Sequence, residues 1–393
     1  MSATLAVTGG RIFDGSTFVE DRALILEDGR IVAIAPAHQL PAGIAEIDAT
    51  NRIVSPGFID LQVNGGGGVL FNNDPTVAGI RTICSAHARF GTTALMATLI
   101  TDTPEVGAAA ISAGIEAHRL RVPGFLGLHL EGPHLSVARK GTHDPSLIRP
   151  MTDTDLARMV DAAGRFGKAI TTIAPESVSP EQAARLVEAG YVVSLGHTDT
   201  KASTVAAYVA AGASMATHLF NAMSQMANRE AGLVGAALAS GRLSCGMIAD
   251  GFHIDPTVMQ VALRAKQGPG RIFLVTDAMS TIGTDQTSFE LTGRQIYRKG
   301  GRLTLTDGTL AGADIDMLSC VLFVHKRLGL PLGEAINMAS LYAAQAIGCA
   351  SKGQLAAGMD ADFLLLESDL SLAATYIGGT CVYRQSGQGQ VAS

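Results

Sequence analysis

The stretch VVSLGHTDTKASTVAAYVAAGASMATHLFN, residues 192–221, holds two short apolar runs separated by an Ala-rich amphipathic segment. Two runs of β type around a helical run predict a β-α-β unit, whose parallel strands end at the same edge of the sheet. A histidine follows each apolar run, so His197 and His218 are expected to lie side by side. Converging imidazoles suit a divalent transition metal. The alternative is that each histidine only caps its strand through a backbone hydrogen bond.

Length and composition favour an α/β enzyme. The chain has 393 residues, of which 47% are hydrophobic, only 16% are charged and 45 are glycine. This length predicts one large domain with a smaller one. The net charge of -6 argues against a nucleic-acid partner. The five scattered cysteines form no C-x-x-C pair, so they predict neither a disulfide framework nor a thiolate zinc site.

Targeting and membrane segments are not expected. The N-terminus lacks the basic and apolar regions of a signal peptide, and no apolar run approaches the roughly 20 residues of a membrane span. These features predict a cytoplasmic protein without a membrane partner.

Strand-like runs recur along the central part of the chain, and most are separated by helical patterns. They cover residues 58–63, 92–98, 125–132, 169–176, 192–198, 214–220, 244–251 and 272–279. Eight strands that alternate with helices predict a TIM-like (β/α)8 barrel of the α/β class, over residues 55–354. A doubly wound open sheet is the alternative.

The sequence pattern at both ends of the chain differs from that of the central part. Residues 1–54 and 355–386 contain short alternating runs separated by Gly, Asp and Asn turn residues. The two segments are predicted to pair into one small β-sandwich domain, with the barrel inserted between them. Residues 387–393 are predicted to be a tail.

Polar residues stand at the ends of the predicted barrel strands, where the active sites of this fold lie. They are Gln62, Asn64, Glu131, Glu176, His197, His218, Asp250, His253 and Asp277. Burying so many polar groups at one end of a core without a function would cost several kcal/mol. The pattern therefore predicts a functional site at this edge.

A catalytic metal site can be formed by three of these residues. Glu131, His197 and His218 offer one carboxylate and two imidazoles, and leave one coordination position open, as in catalytic zinc sites. An ion bound there would make water a usable nucleophile near neutral pH. Asp277 could take up the proton of the attacking water and return it to a leaving amine. Its alternative role is to cap the loop after the eighth strand.

Two further groups are candidates for contacts with substrate. His143 could donate a hydrogen bond to a developing oxyanion, although a purely structural role in its loop is equally open. Asn221, Ala222, Arg229 and His253 could hold a phosphate beside the metal. For Arg229 the alternative is a surface ion pair.

Nine segments in order resemble the N-acetylglucosamine-6-phosphate deacetylase family of the amidohydrolase superfamily. They are PGFIDLQVNGG, HLEGPHLS, KGTHDP, SLGHTDT, THLFNAMS, NREAG, ADGFH, VTDAM and LAGA. The resemblance covers essentially the whole chain and implies hydrolysis of the acetamide of N-acetyl-D-glucosamine 6-phosphate. The products would be acetate and D-glucosamine 6-phosphate, as required in amino-sugar catabolism or cell-wall recycling.

The resemblance also implies a role for individual residues. It makes Glu131, His197 and His218 the metal ligands, Asp277 the general acid and base, and His143 a contact of the acetyl carbonyl. The substrate-binding set that it implies comprises Thr142, His143, Asn221, Ala222, Arg229, His253, Ala311, Gly312 and Ala313. It further implies a homodimer in which Arg229 reaches the phosphate in the neighbouring active site.

The segment after the first strand departs from the wider superfamily. Many relatives carry His-x-His there and bind a second metal, whereas this chain has Gln62 and Asn64. We therefore expect one divalent ion per subunit, with Gln62 at most holding a water in place of a second ion. Zinc is the first expectation, and iron(II), cobalt and manganese remain open.

Two other function classes also remain open. One is an amidohydrolase with another substrate, such as the galactosamine isomer or an unphosphorylated cyclic amide. The other is a catalytically inactive relative that serves as a scaffold, although retention of all three ligands and of Asp277 argues against it.

Overall fold

Eight parallel strands surround the centre of the computed structural model, which describes residues 4–385. Each strand pairs with the next in chain order, and a parallel bridge between Val63 and Ala278 joins the first strand to the segment after the eighth. The strands are Phe58–Val63, Thr92–Ile100, Phe125–Glu131, Lys168–Ile173, Val192–Leu195, Met215–Ala216, Ser244–Met247 and Ile272–Leu274. The predicted barrel is therefore confirmed.

Helices connect the strands and cover the outside of the barrel. They are Val77–Ala88, Pro104–Arg119, Asp153–Ala162, Pro180–Glu188, Ala202–Ala210, Gly232–Ala239, Pro256–Ala265, Met317–Leu322, Leu332–Ala339 and Leu341–Ala346. A π-helical turn, Phe323–Arg327, extends the eighth, and short 3-10 turns span Ala37–Gln39 and Val137–Arg139. In the part of the chain described, no helix combines the length and the apolar character needed to cross a bilayer.

Several helices begin at a capping residue followed by proline. Thr103, Ser179 and Asp255 each accept a hydrogen bond from a backbone N–H of the first turn, and each precedes a proline. The cap satisfies a donor that has no partner within the helix, and proline fits the first helical position because its φ is already helical. These pairs fix where the chain turns from a strand-end loop into a helix.

Strands from both ends of the chain form two further sheets. One contains, in spatial order, Arg30–Pro36, Arg22–Glu27, Thr4–Thr8 and Ala45–Asp48. The other contains Thr380–Arg384, Leu372–Ile377, Phe363–Leu366, Ile53–Pro56, Arg11–Phe13 and Phe18–Val19. In the second sheet Leu365 lies opposite Val54, so the C-terminal segment pairs directly with the N-terminal one. The predicted association of the two ends is confirmed. The predicted tail at 387–393 lies outside the described residues.

A small antiparallel sheet after the eighth barrel strand was not predicted. Its strands are Ser288–Leu291, Arg294–Lys299, Arg302–Thr304 and Leu310–Ala313, and a short hairpin of Gly65–Gly66 with Val69–Leu70 lies near the same end of the barrel. Leu291, Ile296 and Leu303 pack with Ile100 and Met279 in a separate apolar cluster. The residues 311–313 lie on the last strand of this sheet, and the buried side chain of Ala311 belongs to the same cluster.

Candidate functional site

Four of the predicted site residues lie where barrel strands end. Glu131 is the last residue of the third strand, and His197 and His218 each lie two residues beyond a strand end. Asp277 follows the eighth strand. The φ angles of His197, His218 and Asp277 are 48°, 27° and 54°, a left-handed region that is uncommon for residues other than glycine. Each residue therefore turns out of its strand and directs its side chain across the barrel mouth.

The side chains of Glu131, His197 and His218 converge on one point. The Nε2 atoms of the two histidines lie 3.0 Å apart, and each lies 3.2 Å from Glu131 Oε1. A tetrahedral ion with bonds of about 2.0–2.1 Å separates its ligand atoms by about 3.4 Å. All three side chains are buried. Their spacing and chemistry thus fit a divalent metal ion.

The orientation of His197 supports the same conclusion. Its Nδ1 lies 2.9 Å from the carbonyl oxygen of Arg139, which can only accept a hydrogen bond. Nδ1 must therefore carry a proton, and Nε2 is the ring atom that faces the site, where it can bind an ion through its lone pair once it carries no proton. The Nδ1 atom of His218 is buried without a hydrogen-bond partner among the described residues.

His143 offers an alternative to His218 as a third ligand. Ligand atoms of Glu131, His143 and His197 all lie within 4.8 Å of one another. The set with His218 is tighter, because its three atoms lie 3.0–3.2 Å apart. The geometry of Glu131, His197 and His218 is therefore the better fit to a single ion, and His143 lies beside this set.

The electrostatics of Glu131 favour its charged form. Burial alone would raise the pKa of its carboxyl group, but the hydrogen bonds and charges of His197 and His218 outweigh burial and hold the pKa well below its ordinary value. The site therefore contains a buried carboxylate that faces two imidazoles, as a cation site requires.

Asp277 lies beside this cluster in a different environment. Its Oδ1 accepts hydrogen bonds from Asn64 Nδ2 at 2.7 Å and from Gln62 Nε2 at 3.2 Å. Burial and the negative charge of Glu131 raise the pKa of Asp277 above its ordinary value. Two neighbouring carboxyl groups with pKa values shifted in opposite directions are typical of a site that transfers protons.

Gln62 bonds to the carboxylates themselves. Its Nε2 lies 3.2 Å from both carboxylate oxygens of Glu131 and 3.2 Å from Asp277 Oδ1. The amide thus bridges the two acids at the position where a second ion was considered. Its role in holding a water stays a prediction.

His143 is oriented by a residue that the sequence did not single out. The Oγ1 and the backbone N of Thr101 lie 2.8 and 3.3 Å from His143 Nδ1. Because a backbone N–H can only donate, Nδ1 is the acceptor and the proton of the neutral ring is on Nε2. Burial and the nearby His197 hold the pKa of His143 well below its ordinary value. The ring is therefore a neutral hydrogen-bond donor.

A cavity of about 240 Å³ opens above these groups. Its lining includes the predicted residues Glu131, Thr142, His143, His197, His218, Asn221, Ala222, His253, Asp277 and Gly312. Ala311 and Ala313 flank Gly312 on its strand but are buried outside the lining. Asn221 donates its amide to the carbonyls of His218 and Leu219, and His253 Nδ1 lies 2.6 Å from Asp250.

Arg229 lies apart from the cavity, unlike the other polar residues of the predicted substrate-binding set. It is exposed in the loop before the helix Gly232–Ala239, does not line the cavity, and pairs with no carboxylate within residues 4–385. Glu230 forms no ion pair with Arg229 within the described residues, and its Oε1 accepts hydrogen bonds from the backbone N–H groups of Ala202 and Gly232.

Several apolar residues of the cavity were not predicted. Ile100 and Ile248 line it from the ends of the second and seventh strands, and Met279 follows the eighth. The same strand-end rule would have found them, but only polar residues were sought there. Leu310 begins the last strand of the small antiparallel sheet, and Thr309 precedes it.

Comparisons with known proteins agree with this geometry. A family model described as "Amidohydrolase family" matches residues 53–382, and one described as "NagA composite domain" matches residues 5–53. An N-acetylgalactosamine-6-phosphate deacetylase of Shewanella sp. (strain ANA-3) is 40% identical over 97% of this chain and 96% of its own length. An N-acetylglucosamine-6-phosphate deacetylase of Haemophilus influenzae is 34% identical over 92% of this chain and 94% of its own.

A solved structure has the same architecture. The crystal structure of N-acetylglucosamine-6-phosphate deacetylase from Pasteurella multocida matches with a TM-score of 0.92 and 32% identity, covering 96% of this chain and 98% of that one. The resemblance inferred from the nine segments is thus confirmed over nearly the full length. The chain belongs to the amidohydrolase family.

Proposed function

We propose that this protein hydrolyses the acetamide of N-acetyl-D-glucosamine 6-phosphate to D-glucosamine 6-phosphate and acetate. The observation that carries the proposal is the convergence of Glu131, His197 and His218 beside Asp277 at the base of one cavity. Similarity to named deacetylases over nearly the whole chain supports the substrate class. The reaction fits amino-sugar catabolism or cell-wall recycling.

One divalent ion per subunit, held by Glu131, His197 and His218, is part of the proposal. When bound, such an ion would polarise the acetyl carbonyl and lower the pKa of water toward neutrality. The single-ion stoichiometry follows from Gln62 and Asn64, whose amides are poor ligands for such ions. Zinc is the proposed ion, although this donor set also accepts iron(II), cobalt and manganese.

Asp277 is proposed to move the proton. It would take a proton from the attacking water and later donate it to the nitrogen of the leaving amine. Asn64 and Gln62 both donate to its Oδ1, which leaves Oδ2 for this transfer. The raised pKa of Asp277 makes its protonated form more accessible near neutral pH, and the second transfer requires that form.

His143 is proposed to stabilise the negative charge that develops on the carbonyl oxygen. With Nδ1 occupied by Thr101, the ring directs its Nε2–H toward the site. A donor that is already oriented in a buried site gains strength without reorganising during the reaction.

The phosphate is proposed to be bound across a subunit interface. Arg229 is exposed and outside the cavity of its own chain, which fits a homodimer in which it reaches the neighbouring site. Thr142, Asn221, Ala222, His253 and the strand from Ala311 to Ala313 are proposed as the remaining substrate contacts.

The chain is further proposed to divide into a barrel of residues 55–354 and a β domain of residues 1–54 and 355–386, and to act in the cytoplasm.

The galactosamine isomer is the second candidate substrate. The Shewanella relative, named for N-acetylgalactosamine 6-phosphate, is 40% identical, compared with 34% for the Haemophilus relative named for the glucosamine compound. The two sugars differ only at one hydroxyl group, so the same site could perform the chemistry on either.

Acetate release tests the proposal directly. The purified protein would be assayed with both N-acetylhexosamine 6-phosphates and with both unphosphorylated sugars, and its metal content measured on the same sample. We expect turnover of phosphorylated sugars at about one metal per chain, with the glucosamine compound preferred. Preference for the galactosamine compound would select the second candidate. Turnover of none of the four by metal-loaded protein would refute the substrate class.

A further inference from the structure

A layer of polar side chains lies inside the barrel, directly below the proposed metal ligands. His129 precedes Glu131 by two residues on the third strand, so both side chains point into the barrel. Thr172 and Ser194 lie on the fourth and fifth strands, and Thr217 follows the sixth. All four are buried. The interior of such a barrel is usually filled with branched apolar residues. A polar layer in this position is therefore unusual and indicates a specific role.

These four side chains form one continuous line of hydrogen bonds, which we name the hydroxyl chain. Ser194 Oγ lies 2.6 Å from Thr217 Oγ1, which lies 2.6 Å from Thr172 Oγ1. Thr172 Oγ1 lies 2.7 Å from His129 Nε2, and His129 Nδ1 lies 3.1 Å from the carbonyl oxygen of Leu61. The chain thus joins five of the eight strand positions of the barrel.

The Leu61 carbonyl at one end of the hydroxyl chain fixes the direction of every hydrogen bond along it. The carbonyl of Leu61 can only accept, so His129 Nδ1 carries the proton and the neutral ring accepts at Nε2. Thr172 must then donate to His129, Thr217 to Thr172, and Ser194 to Thr217. Each hydroxyl proton has one partner, and no alternative arrangement satisfies them all. A fully satisfied buried network of this kind makes its surroundings rigid.

The hydroxyl chain is in direct contact with the segments that carry the ligands. Thr217 is the residue before His218, and a Cβ atom at Gly196, the residue before His197, would lie 2.8 Å from Thr217 Cβ and 2.9 Å from Thr172 Cγ2. Only glycine leaves room for this packing. The left-handed φ angles of His197 and His218 are costly and persist only where the surroundings hold them.

We propose that the hydroxyl chain is a positioning device for the metal centre. It holds Glu131, His197 and His218 in their converging arrangement, so that an ion enters a site that is already formed. This inference rests on the proposed metal centre, and Thr172, at the middle of the chain, is its central positioning residue.

The test is the zinc affinity of variants at Thr172. Thr172→Val removes the central hydroxyl at almost constant volume, and zinc affinity would be measured by competition with a fluorescent zinc chelator. We expect affinity to fall about 10- to 100-fold, the usual effect of losing a group that orients metal ligands. Thr172→Ser keeps the hydroxyl and should restore affinity close to that of the wild type.

Thr171→Val is the matched control. Thr171 is the preceding residue on the same strand, is equally buried, and donates to the carbonyl of Leu130 outside the hydroxyl chain. It should lose a comparable amount of thermal stability but keep its zinc affinity. Equal zinc affinities in Thr172→Val and Thr171→Val would overturn the inference.

Two further outcomes are decisive. If Thr172→Val does not fold, Ser194→Ala carries the test, because it removes the last donor of the chain; unchanged zinc affinity there would also overturn the inference. Wild-type protein that binds no zinc would instead refute the metal centre itself, and this inference with it.

Discussion

Replacing Asp277 by asparagine should remove the proposed proton carrier while preserving the shape of the site. The Oδ1 atom of Asp277 accepts hydrogen bonds from Asn64 and Gln62, and the amide oxygen of asparagine can accept both in the same positions. The amide group has no titratable proton, however. The substitution therefore separates proton transfer from the packing of the site.

The expected effect is large. A positioned general acid or base contributes about 10²–10⁴-fold to the rate, and Asp277 is proposed to act in both proton transfers of the reaction. We therefore expect kcat to fall by about 10⁴-fold, which corresponds to about 5 kcal/mol of activation free energy. KM should change little. The metal content should be retained, because Glu131, His197 and His218 form the ligand set without Asp277.

Steady-state acetate release and metal content, measured on one preparation, decide the question. Asp316→Asn is the control, because burial also raises the pKa of this carboxyl group, which caps the helix Met317–Leu322 outside the cavity. Asparagine is an equally good cap, so the control should keep its kcat. If Asp277→Asn loses less than tenfold in kcat, Asp277 is not the proton carrier; if it loses its metal, Asp277 is a ligand instead.

Two further substitutions test other parts of the site, and a third tests the stability of the fold. Thr101→Val removes one hydrogen bond to His143, so kcat should fall about tenfold with KM nearly unchanged, and Thr101→Ser should restore it. Arg229→Met should raise KM about 10- to 100-fold for phosphorylated substrate only, because a hydrogen bond to a charged group is lost. When Arg229→Met subunits are mixed with Asp277→Asn subunits, the mixed dimers should regain activity. If they do not, Arg229 acts in the active site of its own subunit. Burial lowers the pKa of His87 to about 4 in the folded protein. As the pH falls from about 6.5 to 4, the unfolded chain takes up a proton on this residue while the folded protein does not, so the folded protein loses stability. His87→Gln should remove about 2.5 kcal/mol of the decrease in unfolding free energy between pH 7 and 4.5, measured by urea denaturation.

The barrel, and the convergence of polar residues at its strand ends, were predictable because active sites of this fold lie there. Alternating apolar runs gave the eight strands, and polar residues at their ends gave Glu131, His197, His218 and Asp277. The predicted strands around the two histidines were nevertheless too long, since the fifth ends at Leu195 and the sixth at Ala216. Histidine in a left-handed conformation ends a strand, and a residue type alone does not reveal that conformation.

The small antiparallel sheet could have been recognised from its turns. Thr292 and Gly293 form a two-residue hairpin loop, as do Gly300 and Gly301, and all four have positive φ angles. Such turns match the twist of paired strands, and a Gly-Gly pair between alternating runs is a hairpin pattern.

The orientation of the site histidines could not be predicted from any local pattern. Which nitrogen faces the site depends on backbone groups that are distant in sequence: the carbonyl of Arg139 for His197, the N–H of Thr101 for His143, and the carbonyl of Leu61 for His129. A carbonyl can only accept and an N–H can only donate, so each contact decides a tautomer. The sequence supplies the imidazoles, whereas the closed barrel supplies the distant backbone groups that orient each ring, as the proposed roles of His197 as a ligand, His143 as a donor and His129 as a support require.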